Sequence, residues 1–368
     1  MRWFLISFVV VLAVITYNRI PEVVDPDVRL CKTLGVFAPQ KPSDFMPGVC
    51  REIRVSHQDH MMSTVYDCGS EDAGMAVVLL HGFPDNAKTW RRQIDEFVSH
   101  GYRVVIPTLR GYETSTQTGS YHITSLATDV LCIAEALDIP QYDVVGHDWG
   151  AIVGHTLAIT NPSKIRALVS VAVPPQMVKH GAKIISQFPS QLLHSWYMLY
   201  FQIPFLPEMT LQHSEFLLRY LITSWSPTHN WQGDKHVQEI IDTFKKPGVA
   251  TAAVNYYRQN CLAFVVDAIS NLLYGGKEYL DISHPIRGKI AVDTLLVTGR
   301  ADGCILTDIY DADSTNIFQR DVDHRVIRLS GGHYVHYEQP QDFNAQVVRF
   351  LTRRPETIKK TEDHALVV

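Results

Sequence analysis

Residue types that act together in nucleophilic catalysis occur in this sequence where predicted strands end. Asp148 is the centre of Gly146-His147-Asp148-Trp149-Gly150, which follows an apolar run and leads into small apolar residues typical of a helix start. Glycine two positions to either side of a central residue is the layout of a strained strand-to-helix turn that presents a nucleophile. A carboxylate placed there can attack a carbon centre without a base to activate it. The alternative is an aspartate that caps an ordinary helix.

A base and an orienting acid for Asp148 are found after two later predicted strands. Asp302 follows the apolar run of residues 292–298, and His333 follows a glycine pair after the run 326–329. Because the carboxyl ends of parallel strands meet at one edge of a sheet, we expect the three side chains to converge. The chain has 17 histidines, so the joint placement carries this prediction rather than any one residue.

The elements needed to position these residues can be predicted from the apolar pattern. Short apolar runs alternate with helical periodicity from residue 75 to residue 173, which predicts a parallel sheet of βαβ units. Helical spacing is also found over 89–99, 306–318 and 343–351. The predicted fold class is therefore α/β, with a mostly parallel central sheet and an inserted helical lid.

The lid is predicted from the block between about residues 174 and 285, in which strand alternation stops and aromatic residues are frequent. Strand-like runs resume only at Val292, so the block is best explained as an insertion over the carboxyl edge of one sheet. The predicted parts of the chain are an N-terminal signal anchor at 1–20, a stalk or lead-in at 21–50, a core at 51–174 and 286–355, a helical lid at 175–285 and a polar tail at 356–368.

Composition excludes several classes of function. The formal net charge of −5 over 368 residues has none of the basic character of a nucleic-acid-binding protein. The six cysteines are scattered without CxxC spacing, which argues against a zinc site. We therefore expect no metal and no nucleic-acid partner. The oligomeric state is left open.

The N-terminus carries an apolar run from Trp3 to Tyr17 with Arg2 before it and Arg19 after it. Such a run is shorter than the roughly 20 residues that cross a bilayer and also fits a signal-peptide core. The run lacks a small-residue cleavage site, which favours a retained single-pass anchor. The one Asn-x-Ser match, Asn161-Pro162-Ser163, is blocked by its proline. The expected location is thus the endoplasmic reticulum membrane with the catalytic domain in the cytosol, although Lys and Arg on both sides determine the orientation poorly.

Three motifs carry a resemblance to a known family. His81-Gly-Phe-Pro-Asp85, the Asp148 pentapeptide and the stretch GGHYVHYEQP at 331–340 resemble the epoxide hydrolases of the α/β-hydrolase superfamily. The membrane-anchored members are the nearest match, and the resemblance covers roughly residues 50 to 355. It implies the α/β-hydrolase fold.

Two lid segments, 195–204 and 255–260, are similar to the family segments that each supply a catalytic tyrosine. Matched position by position, those tyrosines fall on Tyr197 and Tyr257. The neighbouring Tyr200 and Tyr256 are alternatives for the inward positions.

The resemblance implies a mechanism in which the two lid hydroxyls bind the epoxide oxygen while Asp148 forms an alkyl ester. Water activated by His333, which Asp302 orients, then hydrolyses the ester to give a vicinal diol, and this mechanism needs no cofactor. The backbone N–H groups of Phe83 and Trp149 are the expected oxyanion donors. The aromatic lid favours a lipophilic substrate such as a fatty-acid epoxide, which would place the protein in lipid metabolism.

The sequence departs from the family pattern at three places. Asp85-Asn86-Ala87-Lys88 replaces bulky aromatic residues, Glu113 replaces a glycine, and Tyr334 stands where tryptophan is common. We expect these departures to alter the shape of the substrate pocket relative to the family. Two other functions are considered: a haloalkane or haloacid dehalogenase with the same nucleophile, and a non-catalytic anchored binding protein.

Overall fold

The computed structural model describes residue 31 and residues 35–42, 45–57, 61–179, 181–261 and 288–352. The predicted signal anchor, the first ten residues of the predicted stalk, the polar tail and residues 262–285 of the predicted lid lie outside the described residues. No helix within the ranges described here has both the length and the apolar character required to cross a bilayer.

A nine-stranded sheet runs through the molecule in the order β1-β2-β3-β5-β4-β6-β7-β8-β9. The strands are β1 (Gly35–Pro42), β2 (Cys50–His57), β3 (Met61–Cys68), β4 (Met75–Leu80), β5 (Tyr102–Pro107), β6 (Tyr142–His147), β7 (Ile165–Val171), β8 (Asp293–Gly299) and β9 (His324–Leu329). The pairs β1·β2, β2·β3 and β3·β5 are antiparallel, and every pair from β5 through β4 to β9 is parallel.

Thirteen described α-helices accompany the sheet, and three further short segments are 3₁₀ helices (Ala87–Arg92, Thr114–Thr116 and Thr307–Asp311). The α-helices are α1 (Ile94–Ser99), α2 (Ile123–Ala136), α3 (Trp149–Thr160), α4 (Pro175–Lys179), α5 (Gly181–Gln187), α6 (Gln191–His194), α7 (Trp196–Tyr200), α8 (Leu206–His213), α9 (Glu215–Trp225), α10 (Lys235–Phe244), α11 (Val249–Asn260), α12 (Val335–Glu338) and α13 (Pro340–Thr352). Helices α4 to α11 all come between β7 and β8 and form the described part of the lid.

The central strands are apolar on both faces because helices cover both faces of the sheet. In β6, Val144 belongs to the cluster that includes α2, α3 and the lid, whereas Val145 belongs to the cluster that includes α13. Both side chains are fully buried. The period-two alternation of a strand thus connects one short apolar run to two separate cores.

The carboxyl end of β6 turns into α3 through a very close backbone contact. A Cβ atom added at Gly146 would lie 2.2 Å from the carbonyl oxygen of Gly150, and one added at Gly150 would lie 2.3 Å from that of Leu80. Only glycine fits such approaches. The residue between them, Asp148, takes φ 51° and ψ −116°, a conformation that L-residues rarely adopt.

Three predictions about the elements require correction. The helix predicted over 89–99 is divided into the 3₁₀ helix Ala87–Arg92 and α1, because buried Gln93 donates its amide to the carbonyl of His336 instead of facing solvent. The prediction of a helix over 306–318 is wrong beyond the 3₁₀ helix Thr307–Asp311. The chain after this turn is instead bonded to Ile290, whose N–H donates to the carbonyl of Ile317 at 2.9 Å.

The predicted stalk at 21–50 also needs correction, because residues 35–42 form strand β1 on β2. The proline-rich composition of this stretch indicated a lead-in. An edge strand tolerates proline, however, because one side of its backbone has no ladder partner.

Two disulfides tie the first part of the domain together. Cys50 and Cys68 face each other directly in the β2·β3 ladder, and Cys31 is bonded to Cys132 in α2 across a separation of 101 residues. Cys261 and Cys304 are free thiols. Spacing along the chain carried no signal for either pairing, since each depends on contacts made only in the fold.

Gly146→Ala should therefore destabilise the protein by about 3 kcal/mol, because backbone atoms cannot move aside for the added methyl group as a flexible side chain would. The free energy of unfolding, measured in urea, checks this expectation. Gly74→Ala is the matched control, since nothing lies within 4 Å of a Cβ atom at Gly74. Equal stability of the two variants would contradict the close contact between β6 and α3.

Candidate active site

Asp148 lies at the turn between β6 and α3, where the residue is buried and only 5% exposed. Its Oδ1 accepts a hydrogen bond of 2.8 Å from the backbone N–H of Phe83, in the loop after β4. A Cβ atom at Gly82 would lie 2.4 Å from the Cβ of Asp148, so this loop can approach the carboxylate only with glycine there. The sheet thus brings the ends of β4 and β6 together at one carboxylate.

His333 and Asp302 reach the same place from the ends of β9 and β8. His333 Nδ1 donates to Asp302 Oδ2 at 3.0 Å, and its Nε2 lies 3.6 Å from Asp148 Oδ2. The second distance is that of an ion pair rather than a direct hydrogen bond. Asp302 Oδ1 in turn accepts from the backbone N–H groups of Cys304 and Ile305 at 2.8 and 3.0 Å. The three predicted residues are therefore adjacent in the fold.

The charges of this group determine the protonation states in the resting site. Burial by itself lowers the pKa of His333, but the charges of Asp302 and Asp148 outweigh burial and raise it to about 10. Burial alone would raise the pKa of Asp148, yet the facing His333 reverses the direction and lowers it. The resting site at neutral pH consequently holds an imidazolium between two carboxylates.

The loop that carries His333 is fixed by residues that the sequence analysis missed. Gly332 N donates to both carboxylate oxygens of Glu338 at 2.9 and 3.0 Å, and the Ser226 hydroxyl donates to Glu338 Oε1 at 2.7 Å. His333 N donates to the carbonyl of Trp225, at the end of α9, at 2.9 Å. No sequence signal links Ser226 to Glu338, because 112 residues separate them.

The lid places Tyr197 and Tyr257 next to each other above the turn. Both residues are 3% exposed, and their rings lie edge to face with centroids 5.6 Å apart. The Tyr257 ring also lies 5.1 Å from Trp149 and 5.3 Å from Phe83. Burial is the main reason that the pKa of each hydroxyl is raised well above its usual value, and the charge of Asp148 contributes to both shifts.

The two alternative tyrosines make contacts elsewhere. The Tyr200 hydroxyl is bonded to Thr210 within the lid at 2.7 Å, and the Tyr256 hydroxyl donates to the carbonyl of Arg110 at 2.7 Å. Tyr197 instead lies 3.4 Å from the Cys304 thiol, and the Tyr257 hydroxyl has no hydrogen-bond partner among the residues described. Of the four tyrosines, Tyr257 alone thus has a hydroxyl without a partner among the residues described, and Tyr197 has only a thiol.

The departures from the family pattern have structural explanations. Glu113 accepts from Arg54 at 2.8 Å and from Thr64 N at 2.6 Å, so it joins the loop to β2 and β3. The Tyr334 hydroxyl donates to the carbonyl of Pro84 at 2.9 Å. Asp85 is fully buried and accepts from His236 of the lid at 2.8 Å. None of these residues bonds to Asp148.

A parallel sheet with a nucleophile turn after β6, an acid after β8, a histidine after β9 and a lid over the strand ends defines an α/β hydrolase. Residues 75–340 match the family model described as the alpha/beta hydrolase fold. The chain belongs to this family, which confirms the predicted fold class.

The relatives named as epoxide hydrolases confirm the resemblance seen in the motifs. Epoxide hydrolase 4 from Homo sapiens is 29% identical over 305 residues, covering 80% of this chain and 76% of the human protein. The structure of an epoxide hydrolase from Bacillus megaterium with its diol product covers 79% of this chain and 97% of its own, with a TM-score of 0.65 and 23% identity. A putative acyltransferase from Salmonella enterica covers 86% of this chain and 99% of its own, with a TM-score of 0.69 and 23% identity. Structural likeness at this level of identity shows the fold alone.

Glu338→Ala should lower the free energy of unfolding by about 2 kcal/mol, because Gly332 N and the Ser226 hydroxyl would lose a shared carboxylate partner. Chemical denaturation followed by fluorescence measures the change. Glu215→Ala is the matched control: Glu215 is paired only at the surface, with Arg219 and Lys245, so its removal should leave stability unchanged within error. A Glu338 variant as stable as the control would show that the histidine loop is held by other contacts.

Proposed function

We propose that this protein hydrolyses epoxides to vicinal diols through a covalent ester on Asp148. The observation that carries the proposal is the pairing of a buried carboxylate nucleophile with two lid hydroxyls, Tyr197 and Tyr257, that are not committed to other oxygen or nitrogen partners. A strained three-membered ring requires both features, because the oxygen that leaves one carbon stays attached to the other. The epoxide hydrolases among the relatives support the same reaction.

In the first step, Asp148 forms a bond to a ring carbon from the side opposite the ring oxygen. The carbon–oxygen bond of the ring breaks, and the hydroxyls of Tyr197 and Tyr257 stabilise the charge that develops on the oxygen. Esterification removes the charge of Asp148, so one of the two carboxylates that raise the pKa of His333 is lost. His333 then gives up one proton, and the oxygen of the opened ring gains one and becomes a hydroxyl.

In the second step, neutral His333 takes a proton from water, and the resulting hydroxide adds to the ester carbonyl. The Phe83 N–H, which already donates to Asp148 Oδ1, is placed to bind the oxyanion, with Trp149 N–H as the second donor. Collapse of this intermediate breaks the bond between the Asp148 carbonyl carbon and the ester oxygen, which stays on the substrate as an alkoxide. The alkoxide takes up the proton of the hydroxyl that water added, and the diol is released. The carboxylate and the imidazolium of the resting site are then restored.

The surroundings of the reacting groups favour lipophilic epoxides such as those of fatty acids. The aromatic rings of Phe83, Phe201, Trp225 and Tyr257 pack around the site with few polar groups between them. The lid also presents apolar residues outward, with Phe205 80% exposed. An exposed apolar patch of this kind favours contact with lipid, which fits entry of the substrate from a membrane.

The compartment that we propose differs from the cytosolic orientation expected from the sequence. Disulfides such as Cys50–Cys68 and Cys31–Cys132 persist in oxidising environments and are rare in the cytosol. A lumenal or extracellular domain therefore fits the structure better. Alkylation of the purified protein with and without reductant tests whether these two disulfides form.

Dehalogenation by the same nucleophile remains the competing activity. In dehalogenation the halide leaves the substrate completely and is stabilised by N–H donors. Trp149 directly follows Asp148 and has such an N–H group on its side chain. The paired hydroxyls of Tyr197 and Tyr257 favour an oxygen that remains attached. A non-catalytic binding role would leave the nucleophile, the acid and the base without a use. Turnover of a panel of fatty-acid epoxides, aryl epoxides and haloalkanes by the purified protein distinguishes epoxide hydrolysis, dehalogenation and a non-catalytic role.

A single turnover in heavy-oxygen water should yield a diol without label, because the oxygen delivered first comes from the Asp148 carboxylate. Label should then appear in the tryptic peptide that contains Asp148, as mass spectrometry can measure. Multiple turnovers supply the control, since the product must gain label once the carboxylate has exchanged. A fully labelled diol from the first turnover would rule out the covalent ester.

Changing Tyr197 and Tyr257 together to Phe should reduce the rate of epoxide opening by about 1000-fold or more, because the developing oxyanion loses both donors. Pre-steady-state formation of the alkyl-enzyme measures that step directly. Tyr200→Phe removes the same hydroxyl from a lid residue bonded to Thr210 and should leave the rate unchanged. Undiminished ring opening in the double variant would assign the oxygen-binding role to other groups.

A further inference from the structure

We propose that Asp85, His147 and His336 form a binding site for a divalent transition metal ion, with Zn²⁺ the best match. The site lies behind the catalytic group rather than within it, and it does not depend on the reaction proposed above. It is independent of the cysteines, whose spacing argued against zinc.

The three side chains converge in the interior. One ligand atom from each lies within 4.8 Å of those of the other two, and Asp85 Oδ2 is 3.7 Å from His147 Nδ1. The rings of His147 and His336 have centroids 4.5 Å apart. All three residues are 0% exposed. Tetrahedral Zn²⁺ with bonds of about 2.1 Å separates neighbouring ligands by about 3.4 Å, so each separation would have to contract by at most about 1.4 Å to close the site.

Each of the three side chains has one polar atom that lacks a hydrogen-bond partner among the residues described: Asp85 Oδ2, His147 Nδ1 and His336 Nδ1. A buried polar atom without a partner costs roughly 1–3 kcal/mol, so a ligand that bonds these three atoms would be stabilising. His147 Nε2 donates to the carbonyl of His333, which leaves a bare lone pair on Nδ1 when the ring is neutral. Two acceptors, Asp85 Oδ2 and His147 Nδ1, therefore face each other, and a cation satisfies both.

The opposite atom of each side chain is held by an outer partner. Asp85 Oδ1 accepts from His236 Nε2 at 2.8 Å, His147 Nε2 donates to the carbonyl of His333 at 3.1 Å, and His336 Nε2 is bonded to Thr89 Oγ1 at 2.8 Å. Metal-binding histidines and carboxylates characteristically have such outer partners, which orient them toward the ion.

The ligand types also suit a transition metal. Neutral imidazole is the form in which histidine binds metals. Two imidazoles and one carboxylate favour Zn²⁺ over Mg²⁺ or Ca²⁺, which prefer oxygen ligands.

A metal at this point would join three segments of the chain that lie next to proposed catalytic residues. Asp85 is two residues after Phe83, His147 directly precedes Asp148, and His336 is three residues after His333. The ends of β4, β6 and β9 would thus share one ion. The role of the ion is to position these segments, since none of its ligands touches the reacting atoms.

The test begins with the full chain, stripped of metal with a chelator, and titrated with ZnCl₂ by calorimetry. We expect one Zn²⁺ per chain retained after gel filtration, together with a higher melting temperature. Co²⁺ in place of Zn²⁺ should give the visible absorption of a tetrahedral site, and X-ray absorption of the Zn²⁺ form should show two imidazoles and one carboxylate. A stripped chain that binds no Zn²⁺ and shows no Co²⁺ spectrum would overturn the proposal.

Variants separate this site from adventitious binding at surface histidines. His336→Gln should weaken Zn²⁺ binding by at least ~100-fold, because losing a ligand exceeds the effect of losing an outer partner. His213→Gln removes an exposed histidine and should bind Zn²⁺ as the unaltered chain does. Equal binding by both variants would also overturn the proposal. If His336→Gln fails to fold, the X-ray absorption spectrum of the unaltered chain decides alone.

Discussion

The burial of the Asp148 carboxylate is the constraint on which the rest of the site depends. A charge with 5% exposure is stable only if its surroundings replace the water that it has lost. The Phe83 N–H and the His333 imidazolium do so from the ends of two other strands. The same two groups are those that the proposed reaction needs, so the demands of folding and of chemistry coincide at this point.

The main lines of the fold could be predicted because they rest on local patterns. Apolar runs such as β4 and β6 are buried on both faces, and the glycines around Asp148 are required because a Cβ atom at Gly146 would lie only 2.2 Å from a backbone oxygen. The order of Asp148, Asp302 and His333 along the chain then places all three at one edge of the sheet. The motif carried this information because the turn, the strand and the helix are contiguous in sequence.

Other features could not be predicted because they depend on partners far away along the chain. Gln93 interrupts a helical pattern to bond the carbonyl of His336, 243 residues later. Glu338 holds the histidine loop through Ser226, and the Cys31–Cys132 bridge spans 101 residues. The tyrosine pair was named through the family resemblance, and only the contacts of Tyr200 and Tyr256 distinguish it from its neighbours.

The attachment of α9 to the histidine loop limits how the lid can move. The carbonyl of Trp225 accepts from both His333 N and Gly303 N, at 2.9 and 3.0 Å, so the end of this helix is bonded to two loops of the core. Displacing it would break the hydrogen bond that holds the backbone of His333. A lid motion that preserves the histidine loop therefore has to leave the end of α9 in place.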